Sequence, residues 1–148
     1  MTAIFKTSIP CDTLLKLLHS MTPAGRAKCI KDWLTKYAKR EIDCPGLGDV
    51  VRLTNSGIDE TAHHASKRVE STLLAFNLVP LIEAATDIFN TYAPKGNRRQ
   101  KQMKIQEMYE LHVITKYLGT AKLMIGKNKK GFFVHYCCTA LRNTENDG

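Results

Sequence analysis

The chain has 148 residues, close to the commonest size of a single domain, so it is long enough to bury one sizeable core. Its 22 Lys and Arg outnumber its 14 Asp and Glu, which gives a formal charge of +8 and favours a polyanionic partner. Five cysteines without a C-x-x-C pair argue against a disulfide framework or a zinc site, and no apolar run is long enough for a membrane span.

The first third of the chain predicts two helices. The longer one starts at Pro23, behind a Thr22 cap, and runs to about Arg40. A shorter leucine-rich helix around residues 13–19 should pack beside it. The longer helix has one apolar face and one basic face, and three lysines of the basic face are candidate contacts for nucleic acid: Lys31, Lys36 and Lys39.

The middle of the chain alternates strand and helix signals. A Pro and two Gly break the pattern at 44–49, and residues 50–53 form a short strand. Ser56 opens the next helix, which Asn77–Pro80 interrupts before a short helix over 81–87 and an extended segment over 88–92. Residues 94–104 form a mobile basic loop without an apolar period. Its candidate nucleic-acid contacts are Lys95, Arg98, Arg99, Lys101 and Lys104.

The last third predicts a three-stranded antiparallel meander over residues 107–141, followed by a polar tail at 142–148. A two-residue loop at Leu118-Gly119 and a four-residue loop at 128–131 would set the register. Thr115 would then lie opposite Lys122, and Lys122 beside Cys137.

That register gathers polar side chains on one face of the meander, and this face is the candidate active site. Histidine can move a proton near neutral pH, lysine can stabilise charge on a phosphate, and hydroxyls can bond phosphate oxygens. The alternative is an ordinary solvated sheet face. The candidate catalytic residues are His135 as general acid or base, Lys122 as phosphate stabiliser, and Thr115, Tyr117 and Thr139 as orienting groups.

A second polar group lies on the helix that begins near Ser56. His63 and His64 are neighbours in sequence, so their rings diverge on a helix and only one of them can serve a site. His64 is one turn from both Glu60 and Arg68, which fits either the edge of a functional site or an exposed helix face. The sequence contains no phosphate-binding loop, dinucleotide-binding loop or serine-hydrolase elbow.

Four segments carry a family resemblance: GDVVRLTNSGIDETAHHASKR, LLAFNLVPLIEAATDIF, MYELHVITKYLGTAKLMIG and GFFVHYCCTAL. Their order over residues 48–141 resembles the third large-polyvalent-protein-associated domain of phages and mobile elements. That domain is related to the nuclease fold shared by barnase, EndoU, certain colicins and RelE. The resemblance implies RNA cleavage without a metal ion, although it assigns no single position to a family catalyst.

We therefore expect an α+β fold in which N-terminal helices pack on a small antiparallel sheet that ends in the meander. One domain would span 1–148, with a helical part at 1–43, a nuclease-like part at 48–141 and a tail at 142–148. The expected function is a metal-independent, RNA-directed endonuclease or toxin-like domain without a cofactor. The alternative is a non-catalytic module that binds nucleic acid or a host protein. The expected setting is the cytoplasm, with RNA and a cognate inhibitor or host protein as partners, no membrane, and a monomer or dimer.

Overall fold

A computed structural model describes residues 4–5, 12–116 and 118–141 of the chain, which form one mixed sheet with helices against it. The described helices are α1 (Asp12–Ser20), α2 (Pro23–Leu34), α3 (Asn55–Ala65), α4 (Val69–Phe76), α5 (Leu78–Ala84) and α6 (Arg98–Gln102). The described strands are β1 (Ile4–Phe5), β2 (Glu41–Cys44), β3 (Asp49–Arg52), β4 (Ile88–Tyr92), β5 (Ile105–Thr115), β6 (Thr120–Asn128) and β7 (Phe133–Ala140).

The sheet has the order β1-β5-β6-β7-β3-β2, and β4 pairs with β5 on the same side as β1. The pairs β1–β5 and β3–β7 are parallel, whereas the other pairs are antiparallel. The α+β class and the meander β5-β6-β7 are therefore confirmed. The expected antiparallel sheet is instead mixed, because β1–β5 and β3–β7 are parallel pairs. The predicted helical part at 1–43 also contributes β1 and most of β2 to this sheet.

Helix boundaries follow the local caps more closely than the apolar stripes. The Thr22 hydroxyl accepts from Gly25 N–H at 3.1 Å, as its sequence position predicts, but α2 ends at Leu34 rather than near Arg40. A 3₁₀ turn follows at Thr35–Tyr37, and Lys39 is left-handed with φ 70°. The cap of α3 is Thr54, whose hydroxyl accepts from Gly57 N–H, and not the expected Ser56.

The main core lies between the sheet and α2 to α5. Ile30, Val51, Leu74 and Leu123 are among its fully buried side chains. Arg26 is buried beside it, and its guanidinium donates to the carbonyls of Leu18, Met21 and Ser66 at 2.8–3.0 Å. These carbonyls lie at or just beyond the C-terminal ends of α1 and α3, where the helix dipole favours a cation.

Helices α3 and α4 cover the part of β7 that β3 does not reach. Strand β3 pairs only with Phe133 and Val134, so the following backbone groups of β7 need other partners. Cys138 N–H donates to Thr61 Oγ1 at 3.1 Å, and Ala140 N–H donates to Ser71 Oγ at 2.9 Å. Side chains of the helices thus complete the ladder of β7 and fix α3 against it.

The opposite face of the sheet has a smaller apolar cluster, which includes Ile105, Met108, Val134 and Tyr136. The connector between β4 and β5 packs beside it and is not the irregular loop that its composition predicted. It contains α6, which begins with a capping box in which Asn97 Oδ1 accepts from Gln100 N–H at 2.8 Å. Gln100 is buried, so the connector is anchored by polar contacts instead of an apolar stripe.

The register within the meander differs from the predicted one at both turns. Lys122 lies opposite His112 on β5 and opposite Thr139 on β7, so the expected pairs with Thr115 and Cys137 are wrong. The first turn is longer than two residues, because Ile114 pairs with Thr120. At the second turn Lys127 pairs with Phe133, one residue later than a four-residue loop at 128–131 would place its partner. A bulge follows at Tyr136, where the partner of Met124 is Cys137 and that of Ile125 is His135.

Candidate functional site

The bulge at Tyr136 decides which side of the sheet each predicted catalytic residue occupies. Beyond the bulge, the side chains of β7 lie on the faces that the sequence predicted. Lys122 and Thr139 are therefore opposite each other on the face away from the main core. His135 precedes the bulge and lies opposite Ile125, a residue of the main core. The extra residue therefore turns His135 to the opposite face from Lys122.

His135 is fully buried between β7 and α3, with 0% of its surface exposed. Its Nε2 lies 2.8 Å from Thr61 Oγ1, and burial lowers its pKa to about 3. The ring is thus neutral at physiological pH and has no route to a ligand. The expectation that His135 works on an open face does not fit this position, and the residue packs as part of the interior.

Gly57 explains how α3 comes so close to this histidine. A Cβ atom at Gly57 would lie 2.1 Å from the carbonyl oxygen of His135 and 2.9 Å from its Nδ1. No side chain fits at such distances, so glycine is required for the helix to reach the strand. The close contact between helix and strand excludes water from the ring of His135.

Of the other two predicted orienting groups, Thr115 does not join Lys122 and Thr139. Thr115 is buried in the turn between β5 and β6, where its hydroxyl donates to the carbonyl of Gly119 and accepts from Leu118 N–H. Its polar atoms hold the turn together. Tyr117 lies outside the described residues.

Lys122 and Thr139 instead line a cleft of about 310 Å³ on the face of the smaller apolar cluster. We call it the α3–α6 cleft, because these helices form parts of its walls. Apolar groups from Met108 and Met124 contribute to the lining. Polar groups come from five elements of the chain: Glu60, His64, Tyr92, Lys95, Asn97, Gln100, Lys122, Tyr136, Cys137 and Thr139.

Glu60 is the centre of the charged contacts in this cleft. Its carboxylate lies 3.1 Å from His64 Nε2 and 3.6 Å from Arg99 Nε. The His64 side chain is 41% exposed, so its ring is accessible to a ligand while the carboxylate holds one of its nitrogens. The two residues are one helical turn apart on α3, which places both on the same side of the helix.

Tyr136 lies beside this pair because it is the bulge residue. Its hydroxyl is 3.2 Å from Asn97 Nδ2, and burial raises its pKa to about 12, with a further increase from Glu60. The phenol therefore keeps its proton at neutral pH and can donate it. The neighbouring Cys137 is not a nucleophile, because burial raises the pKa of its thiol to about 12.

Two lysines of the cleft, Lys95 and Lys122, make no ion pair with any carboxylate in the part of the chain that the structure describes. Their charge is available to an anion. By contrast, Lys31 pairs with Asp59 at 3.6 Å, and Lys36 lies over the ring of Trp33 at 3.4 Å. Neither of these lysines lines the cleft, and neither does Lys39.

Of the remaining basic candidates, Arg99 forms an ion pair with Glu60 of the cleft. Arg98, Lys101 and Lys104 do not line the cleft. Sequence reasoning placed His64 and Glu60 side by side on one helix but gave no reason to connect them with Lys122. It missed Tyr136, Asn97 and Gln100. The Asn97–Gln100 spacing of a capping box is the one local signal that could have revealed α6.

Comparisons of the chain with models of protein families, with curated proteins and with solved structures found no match. The described residues contain no group of three or more metal-ligating side chains close enough to hold an ion. None of the described helices has the length and apolar character needed to cross a membrane.

Proposed function

We propose that the protein is an RNA-directed endonuclease whose active site is the α3–α6 cleft. The observation that supports it is the meeting of a histidine–carboxylate pair, a phenol that keeps its proton, and two unpaired lysines in one concave site. These groups are what cleavage of an RNA phosphodiester requires when no metal ion takes part. The basic charge of the chain favours the same substrate.

In the proposed reaction, His64 is the general base and Glu60 positions its ring. His64 takes the proton of a ribose 2′-hydroxyl, the 2′ oxygen bonds to the adjacent phosphorus, and the bond from phosphorus to the 5′ oxygen breaks. Tyr136 donates a proton to the departing 5′ oxygen, and Lys122 stabilises the additional negative charge on the phosphate. The products are a 2′,3′-cyclic phosphate and a 5′-hydroxyl, and His64 and Tyr136 recover their protonation states through solvent.

The remaining residues of the cleft bind and orient the substrate in this proposal. Lys95 and Thr139 contact phosphate oxygens, and the ring of Tyr92 provides an apolar wall. Free cysteines among the described residues, including buried Cys44 and Cys138, suit the reducing cytoplasm that we propose as the setting.

The test is cleavage of single-stranded RNA in the presence of EDTA by wild-type protein and matched variants. His64→Ala should reduce the cleavage rate by a factor of about 10² or more, the usual contribution of a positioned acid or base. Lys122→Ala should cost about 10²–10³. The control is His19→Ala, which removes the same kind of side chain from an exposed position on α1 outside the cleft.

Cleavage that is unaffected by His64→Ala and Lys122→Ala would overturn the site. A wild-type protein that binds RNA without cleaving it would overturn the activity. If Lys122→Ala then weakened binding, the cleft would belong to a non-catalytic nucleic-acid-binding module.

A further inference from the structure

The hairpin between β6 and β7 forms a second basic surface, separate from the α3–α6 cleft. A cavity of about 240 Å³ lies beside it, and four of its lining residues are cations: Arg52, Lys104, Lys129 and Lys130. Met103, Asn128 and Phe132 complete the lining. We call these seven residues the hairpin pocket.

The positive charge of the hairpin pocket is not neutralised within the protein. None of its four cations pairs with a carboxylate of the described residues. Lys104, Lys129 and Lys130 are exposed. Like charges held this close repel one another, so a bound anion would relieve an unfavourable electrostatic interaction.

The backbone of the hairpin holds its side chains in a defined arrangement. Asn128 Oδ1 accepts from the N–H groups of Lys130 and Phe132, both at 3.0 Å. Gly131 N–H donates to the Asn128 carbonyl at 2.9 Å, and Gly131 is left-handed with φ 87°. Lys129 N–H donates to the carbonyl of Lys104 at 3.0 Å, which ties the turn to the chain that follows α6.

Phe132 gives the hairpin pocket an aromatic surface. The side chain is 47% exposed, and the Arg52 guanidinium lies 5.0 Å from its ring. An exposed ring among cations is the combination that binds single-stranded nucleic acid, because bases stack on the ring while the cations contact phosphates. A duplex hides the faces of its bases in the stack and cannot use such a ring.

The hairpin pocket and the α3–α6 cleft lie on the same face of the sheet. Phe132 is two residues before Val134, which belongs to the apolar cluster of that face, and Met103 packs against the same cluster. Phe132 and Tyr136 are four residues apart on an extended chain, a separation of about 13 Å. A single strand a few nucleotides long can therefore contact both sites.

We propose that the hairpin pocket binds single-stranded nucleic acid, with phosphates at Lys129 and Lys130 and a base stacked on Phe132. The role of the hairpin pocket as an RNA subsite next to the α3–α6 cleft rests on the proposed function. Its capacity to bind a single strand is independent of cleavage.

The experiment is a fluorescence anisotropy titration with a labelled oligothymidylate over a range of salt concentrations. This DNA probe has no 2′-hydroxyl, so the proposed nuclease cannot cleave it, and failure of the binding site is distinguishable from failure of the activity. The double variant Lys129→Ala, Lys130→Ala should weaken binding and reduce the salt slope by about 1.4 units, or about 0.7 for each phosphate contact to a single strand. The matched control is Lys16→Ala, Lys67→Ala, which removes the same charge from exposed positions elsewhere.

Stacking is tested at Phe132 with two substitutions of different shape. Phe132→Leu should lower affinity about tenfold without a change in salt slope, since stacking on an aromatic ring is worth about 1–3 kcal/mol per base. Phe132→Tyr should bind as the wild type does, because the ring is retained.

The inference is overturned if the lysine double variant loses no more affinity than its control, or if Phe132→Leu binds as the wild type does. It is also overturned if the protein does not bind the oligothymidylate but binds phosphatidylserine vesicles through these residues. The hairpin pocket would then be a membrane contact. RNA cleavage assays on the same variants report separately on the α3–α6 cleft.

Discussion

Two histidines form hydrogen bonds with side chains of α3, one from β7 and one within α3 itself, and their environments are opposite. His135 lies on the core side of β7 against Thr61, fully buried and with its pKa lowered to about 3. His64 lies at the α3–α6 cleft against Glu60 and is 41% exposed. Residue type alone therefore does not identify a catalytic histidine, because access and the charge of the neighbour decide what the ring can do.

Truncation of each histidine to alanine should show the largest difference between the two environments. His135→Ala should lower the free energy of unfolding by about 3 kcal/mol, because it leaves a cavity in the interior and removes the partner of Thr61. His64→Ala should change it by no more than about 0.5 kcal/mol, as is usual for an exposed side chain. Urea unfolding of both variants measures the difference. Equal effects would show that the ring of His135 is not packed as described.

Two glycine substitutions should change the free energy of unfolding in opposite directions, one at the contact with His135 and one away from it. Gly57→Ala should lower the free energy of unfolding by about 2 kcal/mol, since its methyl group would overlap the backbone of His135. Gly25→Ala in α2 should raise it by up to about 1 kcal/mol, because its Cβ would make ordinary contacts of 3.5 Å or more and alanine favours the helix. Thermal unfolding of the two variants gives the sign directly. A stabilising Gly57→Ala would contradict the close approach of α3 to β7.

The pH dependence of stability is a third test of the burial of His135. The pKa of His135 is about 3 in the folded protein and near 6.5 in the unfolded chain, so the unfolded state binds the proton first as the pH falls. Stability from the neutral ring is present above about pH 6.5 and is lost towards pH 3, at up to about 1.4 kcal/mol per unit.

His135→Gln removes this titrating group and should have a shallower pH dependence than the wild type over the same interval. An NMR titration of the wild type should show that the His135 imidazole stays neutral down to pH values where the protein begins to unfold. An imidazole at position 135 that titrates near its usual pKa in the folded protein would contradict the burial.

The sequence was sufficient where local chemistry determines the structure. Thr22-Pro23 predicted the start of α2, and the β-branched and aromatic runs predicted the three strands of the meander. Pairs one turn apart on a helix, such as Glu60 and His64, also follow from the sequence, because the helical period fixes which side chains are neighbours. In each case the residues that decide the outcome lie within a few positions of one another.

The tertiary structure alone decided which side chains share the candidate site. The first turn placed Lys122 opposite His112 instead of Thr115. The second turn and the bulge at Tyr136 set the register of β7, so His135 turned into the core while Lys122 met Thr139. Placing His64 beside this face required α3 to pack along β7, which depends on Gly57 and on the Thr61 contact to Cys138. Side chains along a strand alternate between the two faces of the sheet, so an error of one residue in a loop moves every side chain beyond it to the opposite face. Local propensity does not determine which of the two registers forms.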